Sequence, residues 1–446
     1  MNQKTDFTSG PIVGPLMKFT LPIMGALVLQ ALYGAVDLLI VGQFASASAV
    51  SAVATGSQIL HTLTLIITGL AMGITIVVGQ QIGEKREHLV GDTIGTGILF
   101  FAIAGMALTL IMLFAARGFV TLMQAPAEAY EGTVAYVMIC SGGIVFITAY
   151  NILGSIFRGI GDSKTPFLAV LIACICNIGL DLLFVVPLQM GAAGAALATV
   201  AAQAFSVALS LILIRRRGLP FSFSRKNLHF QKALAGRMIR LGLPVALQDT
   251  LVSISFLAIM AIVNNLGVTA SAGVGVAEKL CGFIMLIPSA YMQSMSAYVA
   301  QNIGAGQPKR ARAGLLCGIA TSFGFALILS YVSFFHGSLL ARVFSPEPAV
   351  ITAAADYLKG YAIDTLLTAF LFCFMGYFNG CGRTTFVMIE GIIGAFGVRI
   401  PVSYFFSKAA QVSLFHVSLA TPSSTALQIV LCGIYFFWLY RRERGN

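Results

Sequence analysis

Long runs without a single Asp, Glu, Lys or Arg are the feature that most constrains the fold of this chain. About 20 consecutive apolar residues suffice to cross the hydrocarbon core of a bilayer as an α-helix. Only 10% of the residues are charged, against about 25% in soluble proteins. The sequence therefore predicts an all-α polytopic membrane protein. The charge-free runs are Leu38–Gly83, Thr93–Ala116, Gly132–Phe157, Thr250–Ala277, Gly282–Pro308, Ala313–Ala341 and Ala409–Tyr440.

Glycines, prolines and charged clusters divide the chain into twelve predicted transmembrane helices. The segment Met1–Gly10 is polar, and the hydrophobic run after it lacks a small-residue cleavage site. We therefore interpret that run as the first transmembrane helix rather than as a signal peptide. The predicted spans are 14–41, 48–80, 91–116, 128–158, 165–186, 192–216, 233–264, 270–301, 312–345, 349–380, 384–407 and 412–440.

Basic residues concentrate in alternate connections between these helices. Because Lys and Arg are enriched in cytoplasmic loops, both termini are predicted to be cytoplasmic in a multi-pass protein of the plasma (inner) membrane. Topology thus accounts for the net charge of +11, and the expected partner is the lipid bilayer rather than a nucleic acid. The basic side carries Lys85, Arg86, Lys164, Arg215–Arg217, Arg225, Lys226, Lys232, Lys309, Arg310, Arg312, Arg383, Arg441, Arg442 and Arg444, whereas the other side carries Arg117, Arg342, Lys359 and Lys408.

The two halves of the chain repeat each other at a nearly constant offset. Leu243-Pro244 follows Leu21-Pro22 by 222 positions, and motifs ending at Gly83 and Gly161 recur 221 positions later. This repeat predicts an N-lobe at 1–216, a cytoplasmic linker at 217–232 that contains Leu219 and Pro220, and a C-lobe at 233–446. Each repeat has six helices, so both enter the membrane from the same side. The two bundles should then be related by a pseudo-two-fold axis along the membrane normal, which is typical of transporters.

Two carboxylates occupy positions inside predicted transmembrane helices, where an ionisable residue is a functional candidate by default. Asp37 lies in the first helix, on one face with Gln30 and Tyr33 at i, i+3 and i+7 spacing. Asp181 lies in the fifth helix, one turn after Asn177. The two acids should share a depth in the membrane. The alternatives are a helix-end Asp37 at the outer interface and a purely structural Asn177–Asp181 pair.

The second half lacks acids at the equivalent positions, so ion coupling is expected in the first half. Weaker candidates are Asp249 and Asp364, either of which could be interfacial, and Glu278, which could be neutralised by Lys279. Glu390 and Arg399 share the eleventh helix, and His61 in the second is expected to be a core residue. Pro22 in the first helix removes a backbone hydrogen bond and could allow bending.

Several motifs together resemble the multidrug and toxic compound extrusion (MATE) family along essentially the whole chain. Leu21-Pro22 with Val36-Asp37 and Val41-Gly42 resembles the first helix of that family, and Phe157–Pro166 resembles its fourth-to-fifth loop. Further similar segments are Asn177–Asp181, Gly191–Thr199 and Gln301–Gly306, the last of which looks most like the bacterial DNA-damage-inducible branch.

The resemblance implies a V-shaped pair of six-helix lobes that acts as a monomer and exports amphipathic, often cationic small molecules against H⁺ or Na⁺, with no bound cofactor. It further implies a cation site in the N-lobe. Some family members also carry acids in the seventh and tenth helices, where this chain has Val252 and Thr368, so a second site of that kind is not expected. The implied coupling residues are Asp37, Asn177, Asp181 and Thr199, and the candidate substrate or cleft residues are Gln30, Tyr33, Tyr136 and Gln203.

A mechanism can be stated as a hypothesis. The ionised acid pair would favour an inward-open cleft that binds a cationic drug, and entry of H⁺ or Na⁺ from outside would neutralise the pair, let the first helix bend near Pro22 and release the drug. The alternatives on the same architecture are a flippase of lipid-linked precursors and an exporter of one specific metabolite. An enzyme is not expected, because neither a nucleophile–base set nor a cysteine-based metal cluster is present.

Overall fold

The computed structural model describes residues 6–218, 221, 223–409 and 411–445, which fold almost entirely into helices. Within this part, eleven helices are long and apolar enough to cross a membrane, and one bent pair of shorter helices makes a twelfth span. The predicted all-α polytopic fold is therefore confirmed. The α-helices are α1 (Val13–Phe44), α2 (Ala47–Gly83), α3 (Glu87–Leu122), α4 (Tyr130–Gly142), α5 (Ile144–Ile160), α6 (Lys164–Val185), α7 (Gly191–Arg217), α8 (Lys232–Asn264), α9 (Val268–Ile284), α10 (Leu286–Gly304), α11 (Pro308–Arg342), α12 (Pro348–Gly380), α13 (Thr384–Ile392), α14 (Ile400–Ser407), α15 (Leu414–Ser418) and α16 (Ala420–Gly445).

The chain forms two compact units. Unit 1 comprises most of α1, all of α2 to α7, the first part of α8 through Ala246, and the short stretch Gly304–Gly306. Unit 2 comprises α8 from Leu247 onward, α9, α10 through Ile303, α11 to α16 and the segment Ser9–Leu16. The units therefore divide inside α8. The lobes at 1–216 and 233–446 and the linker at 217–232 stay predictions, and Leu219 and Pro220 lie outside the described residues.

The part of the predicted linker after Phe223 packs against the start of α3 in unit 1. Asn227, at the end of a short 3₁₀-helix (Arg225–Asn227), donates its side-chain amide to Asp92 Oδ1 at 2.7 Å. Gln231 Nε2 donates to the other Asp92 oxygen at 3.3 Å. A Cβ at Gly95 would overlap the carbonyl oxygen of Asn227, so glycine is what allows the two backbones to approach. This segment is thus held by specific contacts as well as by its charge.

The motif at 157–166 ends one helix and starts the next. Gly161 adopts a left-handed conformation with φ of 84° at the end of α5, where glycine costs least. Asp162 Oδ1 then accepts the backbone N–H groups of Lys164 and Thr165, both at 3.0 Å, which satisfies free donors at the start of α6. Oδ2 of the same carboxylate accepts the Thr165 hydroxyl at 2.5 Å. The motif is therefore a helix-capping loop that fixes where α6 begins.

Replacement of this capping carboxylate should destabilise the protein. Asp162→Ala removes the acceptor of two backbone N–H groups, and we expect a loss of about 1 kcal/mol of stability. Thermal unfolding of the purified protein in detergent measures the effect. As a control, Glu131→Ala breaks only the exposed Arg117–Glu131 ion pair and should change stability by less than about 0.5 kcal/mol. Equal effects of the two variants would contradict the capping role.

The predicted helix at 128–158 is not a single straight rod. It is divided into α4 and α5, which meet at an angle of 51° around Gly143. A Cβ on Gly143 would lie 2.5 Å from a methyl carbon of Val200, so α7 packs directly against the backbone at the bend. Consecutive glycines, here Gly142 and Gly143, are a common cause of sharp kinks. The charge-free run predicted the span correctly but carried no signal for the angle.

The predicted helix at 384–407 also departs from regular geometry. A π-helical stretch, Ile393–Arg399, connects α13 and α14. Pro401 lies two residues after its end and has no N–H to donate to the carbonyl four residues earlier, which disfavours a regular α-helical ladder here. Wide π-helical turns are frequent at functional sites. By contrast, α1 continues through Pro22 without a break.

Small residues allow α2 and the first part of α8 to pack closely within unit 1. A Cβ at Gly73 would overlap the carbonyl oxygen of Met238, and one at Gly242 would overlap that of Leu70. At Gly69 a Cβ would lie 2.5 Å from the Cα of Ala246. Membrane helices rely on such close backbone contact because lipid provides no hydrophobic driving force for their association. These three glycines therefore determine the packing of the two helices.

Candidate functional site

The two acids singled out in the first half of the sequence meet inside unit 1. Asp37 on α1 and Asp181 on α6 are 144 positions apart in the chain, yet their carboxyl groups lie close enough to interact directly. Asp37 is 4% exposed and Asp181 is completely buried. We call these two residues the acid pair. The alternative of a helix-end Asp37 exposed at an interface is inconsistent with this burial.

Polar groups on α6 and α7 surround the acid pair. The Thr199 hydroxyl on α7 donates to Asp37 Oδ2 at 3.1 Å. Asn177, one turn before Asp181, is buried, and its amide lies beside the Asp37 carboxyl. All four residues predicted to couple transport to a cation are therefore grouped in one place, drawn from α1, α6 and α7.

Several oxygen atoms of this group are buried and accept no hydrogen bond of good geometry from any described residue. They are Asp37 Oδ1, both carboxyl oxygens of Asp181 and the Asn177 amide oxygen. Two ionised carboxylates in contact inside a bilayer would be very unfavourable, so the arrangement requires a bound proton or another cation. Carboxylate, amide and hydroxyl oxygens are also the ligands preferred by hard cations. The group is thus chemically suited to bind H⁺ or Na⁺.

The other polar residues on the same face of α1 as Asp37 are Gln30 and Tyr33, and they contact α5 and α7. Gln203 Nε2 donates to the Tyr33 hydroxyl at 3.1 Å, and Gln30 Nε2 donates to the Tyr150 hydroxyl at 2.6 Å. Their spacing along α1 predicted one common face, and the contacts follow that face. The candidate substrate residues Gln30, Tyr33 and Gln203 are therefore hydrogen-bonded to other side chains within unit 1, and Tyr33 lies near Asp37.

Tyr136, the predicted site residue on α4, lies in the same region. It is buried against Gly56 of α2, where any Cβ would overlap its ring. It also lies near Asp37 and Tyr33. Glycine at position 56 therefore lets the aromatic ring reach the surroundings of the acid pair.

Tyr150 is a site residue that the sequence did not indicate. It lies on α5 beyond the bend at Gly143 and accepts the hydrogen bond from Gln30, which is 120 positions earlier in the chain. No spacing rule connects two residues so far apart. A tyrosine within a predicted transmembrane helix was the available signal, and it is weak because the sequence contains thirteen tyrosines.

The weaker candidates in the second half lie in unit 2, and two expectations about them require correction. Asp364 on α12 is 2% exposed, so it is buried within the helices of unit 2 rather than interfacial. Glu278 and Lys279 do not form a self-neutralising pair: Glu278 Oε1 is buried without a partner among residues 223–409, while Lys279 is exposed. Adjacent helical residues point in directions about 100° apart, which explains the separation. Asp249 on α8 is partly buried.

Arg399, at the end of the π-helical stretch, is the buried basic group of unit 2. It is 5% exposed, its Nη1 donates to Ser255 Oγ at 3.1 Å, and its guanidinium lies over the Phe256 ring at 4.6 Å. Asp364 lies close enough to interact with it electrostatically. The second half thus contains buried charges, although not at the positions equivalent to the acid pair.

Comparison with known proteins agrees with this architecture. The MatE family model matches residues 22–183 and again residues 244–405, so the second match begins and ends 222 positions after the first. This agrees with the internal repeat seen in the sequence. The two matches together cover well over half of the chain.

Known relatives are similar along nearly the whole length. The "probable multidrug resistance protein YpnP" of Bacillus subtilis (strain 168) is 29% identical over 403 residues, which cover 90% of each chain. The "probable multidrug resistance protein YoeA" of the same organism is 26% identical over 436 residues, 96% of this chain and 94% of the relative. A structure described as the outward-facing conformation of a multidrug resistance MATE family transporter has a TM-score of 0.90 at 19% identity, covering 99% of this chain and 98% of that one.

These matches agree with the all-helical fold and with the resemblance in the sequence. The family consists of membrane transporters, so the expectation that the chain is not an enzyme is confirmed. The chain belongs to the MatE family of multidrug and toxic compound extrusion transporters.

Proposed function

We propose that this protein is an antiporter that exports amphipathic, often cationic drugs or toxic metabolites in exchange for H⁺ or Na⁺, with the coupling site at the acid pair of unit 1. The names of the relatives support the class of substrate, since several are described as multidrug resistance proteins. The acid pair supports the coupling. Small-molecule substrates and the lipid bilayer are then the partners, and the chain acts as a monomer.

The observation that carries the proposal is the set of buried oxygens around Asp37 and Asp181. Four of them accept no hydrogen bond from the described residues. A buried ionised group without compensation is strongly destabilising, so this set is most stable when it holds a cation. A group that must bind a cation in one state and can lose it in another is what coupling to an ion gradient requires.

The contacts suggest how binding and release alternate. When the acid pair is ionised and open to the inside, it favours a conformation that attracts a cationic drug. When H⁺ or Na⁺ enters from outside, the charge is neutralised, and both the attraction for the drug and the repulsion between α1 and α6 are reduced. Helix α1 carries Asp37 and Pro22, so a change at the acid pair can be relayed to a helix that proline already weakens.

We further propose that the protein resides in the inner membrane with both termini in the cytoplasm. The distribution of Lys and Arg between alternate connections supports this orientation. Release of the drug would then occur on the outer side, at the end of the cycle driven by cation entry.

The test uses purified protein in liposomes that contain ethidium, with a proton gradient or a sodium gradient imposed separately. We expect one gradient to drive ethidium across the membrane and the other to have little effect, which would identify the coupling ion. Empty liposomes under the same gradients measure leakage. Transport that is equally fast without any gradient would contradict coupling, and absence of ethidium transport in folded protein would favour a flippase or a metabolite exporter.

A further inference from the structure

Another buried carboxylate, far from the acid pair in sequence, has no role in the mechanism described above. Glu390 on α13 is 1% exposed, and neither of its carboxyl oxygens accepts a hydrogen bond of good geometry within the described ranges. The residue lies six positions after Thr384, the first residue of its helix, and so about 9 Å along the axis from that end. Glu390 is therefore well inside the transmembrane span.

One glutamine lies beside this carboxylate, a second packs against the next residue of the same helix, and two glycines make room for them. Gln428 on α16 lies beside the Glu390 carboxyl, and its side chain packs where a Cβ on Gly394 would be, at 2.6 Å. Gln248 on α8 packs in the same way against Gly391, at 2.9 Å. Both glutamines are buried. Glu390 thus has the amide side chain of Gln428 beside it rather than hydrocarbon alone.

The polar atoms at this place are mainly acceptors that lack donors. Gln428 Oε1 is buried without a hydrogen-bond partner among the residues described. Together with the two carboxyl oxygens of Glu390, it forms a set of three uncompensated oxygens. A buried ionised carboxylate in such a setting costs several kcal/mol unless a cation compensates it.

The charged and titratable groups nearby do not provide that compensation. The Cys432 thiol on α16, one turn beyond Gln428, lies near Glu390 but carries no positive charge. Arg399 lies nine residues further along, interacts with Asp364 and donates to Ser255. No ion pair joins Glu390 to any lysine or arginine in the part of the chain that the structure describes.

We propose that Glu390, with the side-chain oxygen of Gln428, forms a monovalent-cation site in unit 2 that binds H⁺ or Na⁺. It uses α13 and α16 and is separate from the acid positions of other family members, where this chain has Val252 and Thr368. It is also separate from the acid pair, which lies in unit 1. The inference does not depend on the coupling proposed for Asp37 and Asp181.

The experiment measures occupancy of the carboxyl directly on the full-length protein in lipid nanodiscs. Dicyclohexylcarbodiimide is an apolar reagent that reacts with protonated carboxyl groups: the carboxyl oxygen adds to the central carbon, the proton goes to a nitrogen, and the adduct rearranges to a stable N-acylurea. Labelling of Glu390 is quantified by peptide mass spectrometry at acidic and alkaline pH, with Na⁺ or with a bulky organic cation as the counter-ion. Glu347, an exposed acid before α12, is the internal control in the same digest.

We expect Glu390 to be labelled and Glu347 to remain unlabelled. Labelling of Glu390 should fall about tenfold between the acidic and the alkaline buffer, as for a single group that loses its proton. An additional loss of about tenfold when Na⁺ replaces the organic cation at constant pH identifies Na⁺ as a ligand, since each tenfold corresponds to about 1.4 kcal/mol of binding free energy. Labelling that Na⁺ does not change identifies a proton site.

A second variant makes the role of Gln428 testable. Gln428→Leu removes the amide oxygen while keeping a side chain of similar size, and it should shift the pH or the Na⁺ concentration at which labelling is half-maximal. Glu390→Gln must abolish labelling of this peptide. Absence of labelling at Glu390, or labelling that is constant with pH and Na⁺, would overturn the proposal, and neither result would affect the ethidium test of the acid pair.

Discussion

Asp37→Asn and Asp181→Asn are each expected to abolish most gradient-driven efflux while leaving the protein folded. Each change replaces a carboxylate of the acid pair by a neutral amide of the same shape, so the pair can no longer gain and lose a cation during the cycle. Coupling free energies of about 1–3 kcal/mol correspond to a loss of about 5- to 150-fold in the driven rate. Initial rates of ethidium transport in liposomes, under the gradient that drives the parent protein, measure the effect.

The design includes a matched control and a test of whether the two acids act as one unit. Asp356→Asn changes a partly exposed aspartate that pairs with Lys359 at 2.9 Å, and it should have little effect. If the acids function together, the double variant Asp37→Asn/Asp181→Asn should be no slower than either single variant, because residues that act as a unit are strongly non-additive. Full gradient-driven transport by Asp37→Asn would refute the coupling site.

Gly242→Val should be the most damaging change to packing. A Cβ at this position of α8 would overlap the carbonyl oxygen of Leu70 on α2, and backbone atoms cannot move aside as a flexible side chain can. The two helices would have to separate, at a cost of about 1–3 kcal/mol for overpacking. Thermal unfolding in detergent and ethidium transport should both fall, because α2 carries Gly56, against which Tyr136 packs beside the acid pair.

The same helix offers a control for this prediction. Gly236, six positions earlier on α8, is exposed, and a Cβ added there would have no neighbouring atom within 4 Å. Gly236→Val therefore makes the same chemical change in the same helix without the contact, and stability should be nearly unchanged. Comparable destabilisation by both variants would show that the effect of valine is on helix propensity and that the α2–α8 contact contributes little.

Much of the membrane fold could be predicted from the sequence because helix formation in a bilayer is a local requirement. Lipid offers no hydrogen-bond partners, so every apolar run of sufficient length must satisfy its own backbone as a helix. This is why the charge-free runs located the spans, and why Asp37 and Asp181 stood out against them. The repeat was also readable, because the motifs of the second half follow those of the first by 221 or 222 positions.

Irregularities within the helices were harder to predict from the sequence. Gly142 and Gly143 could have lain in a straight helix, and the 51° bend depends on the contact of Gly143 with Val200 of α7. The π-helical stretch before Pro401 could not be predicted either, because a proline is compatible with several local backbone conformations. In both places the outcome depends on neighbours that are distant in the chain.

The sequence by itself determined which segments cross the membrane and which carboxylates lie within them, because both follow from the local balance of apolar and charged residues. Only the tertiary structure decided which side chains meet: Gln30 with Tyr150, Thr199 with Asp37, and Gln428 with Glu390. It also decided that Asp364 is buried, although its position in the sequence was compatible with an interface. The physical reason is that the rotation and tilt of each helix are set by packing between helices, which no local pattern encodes.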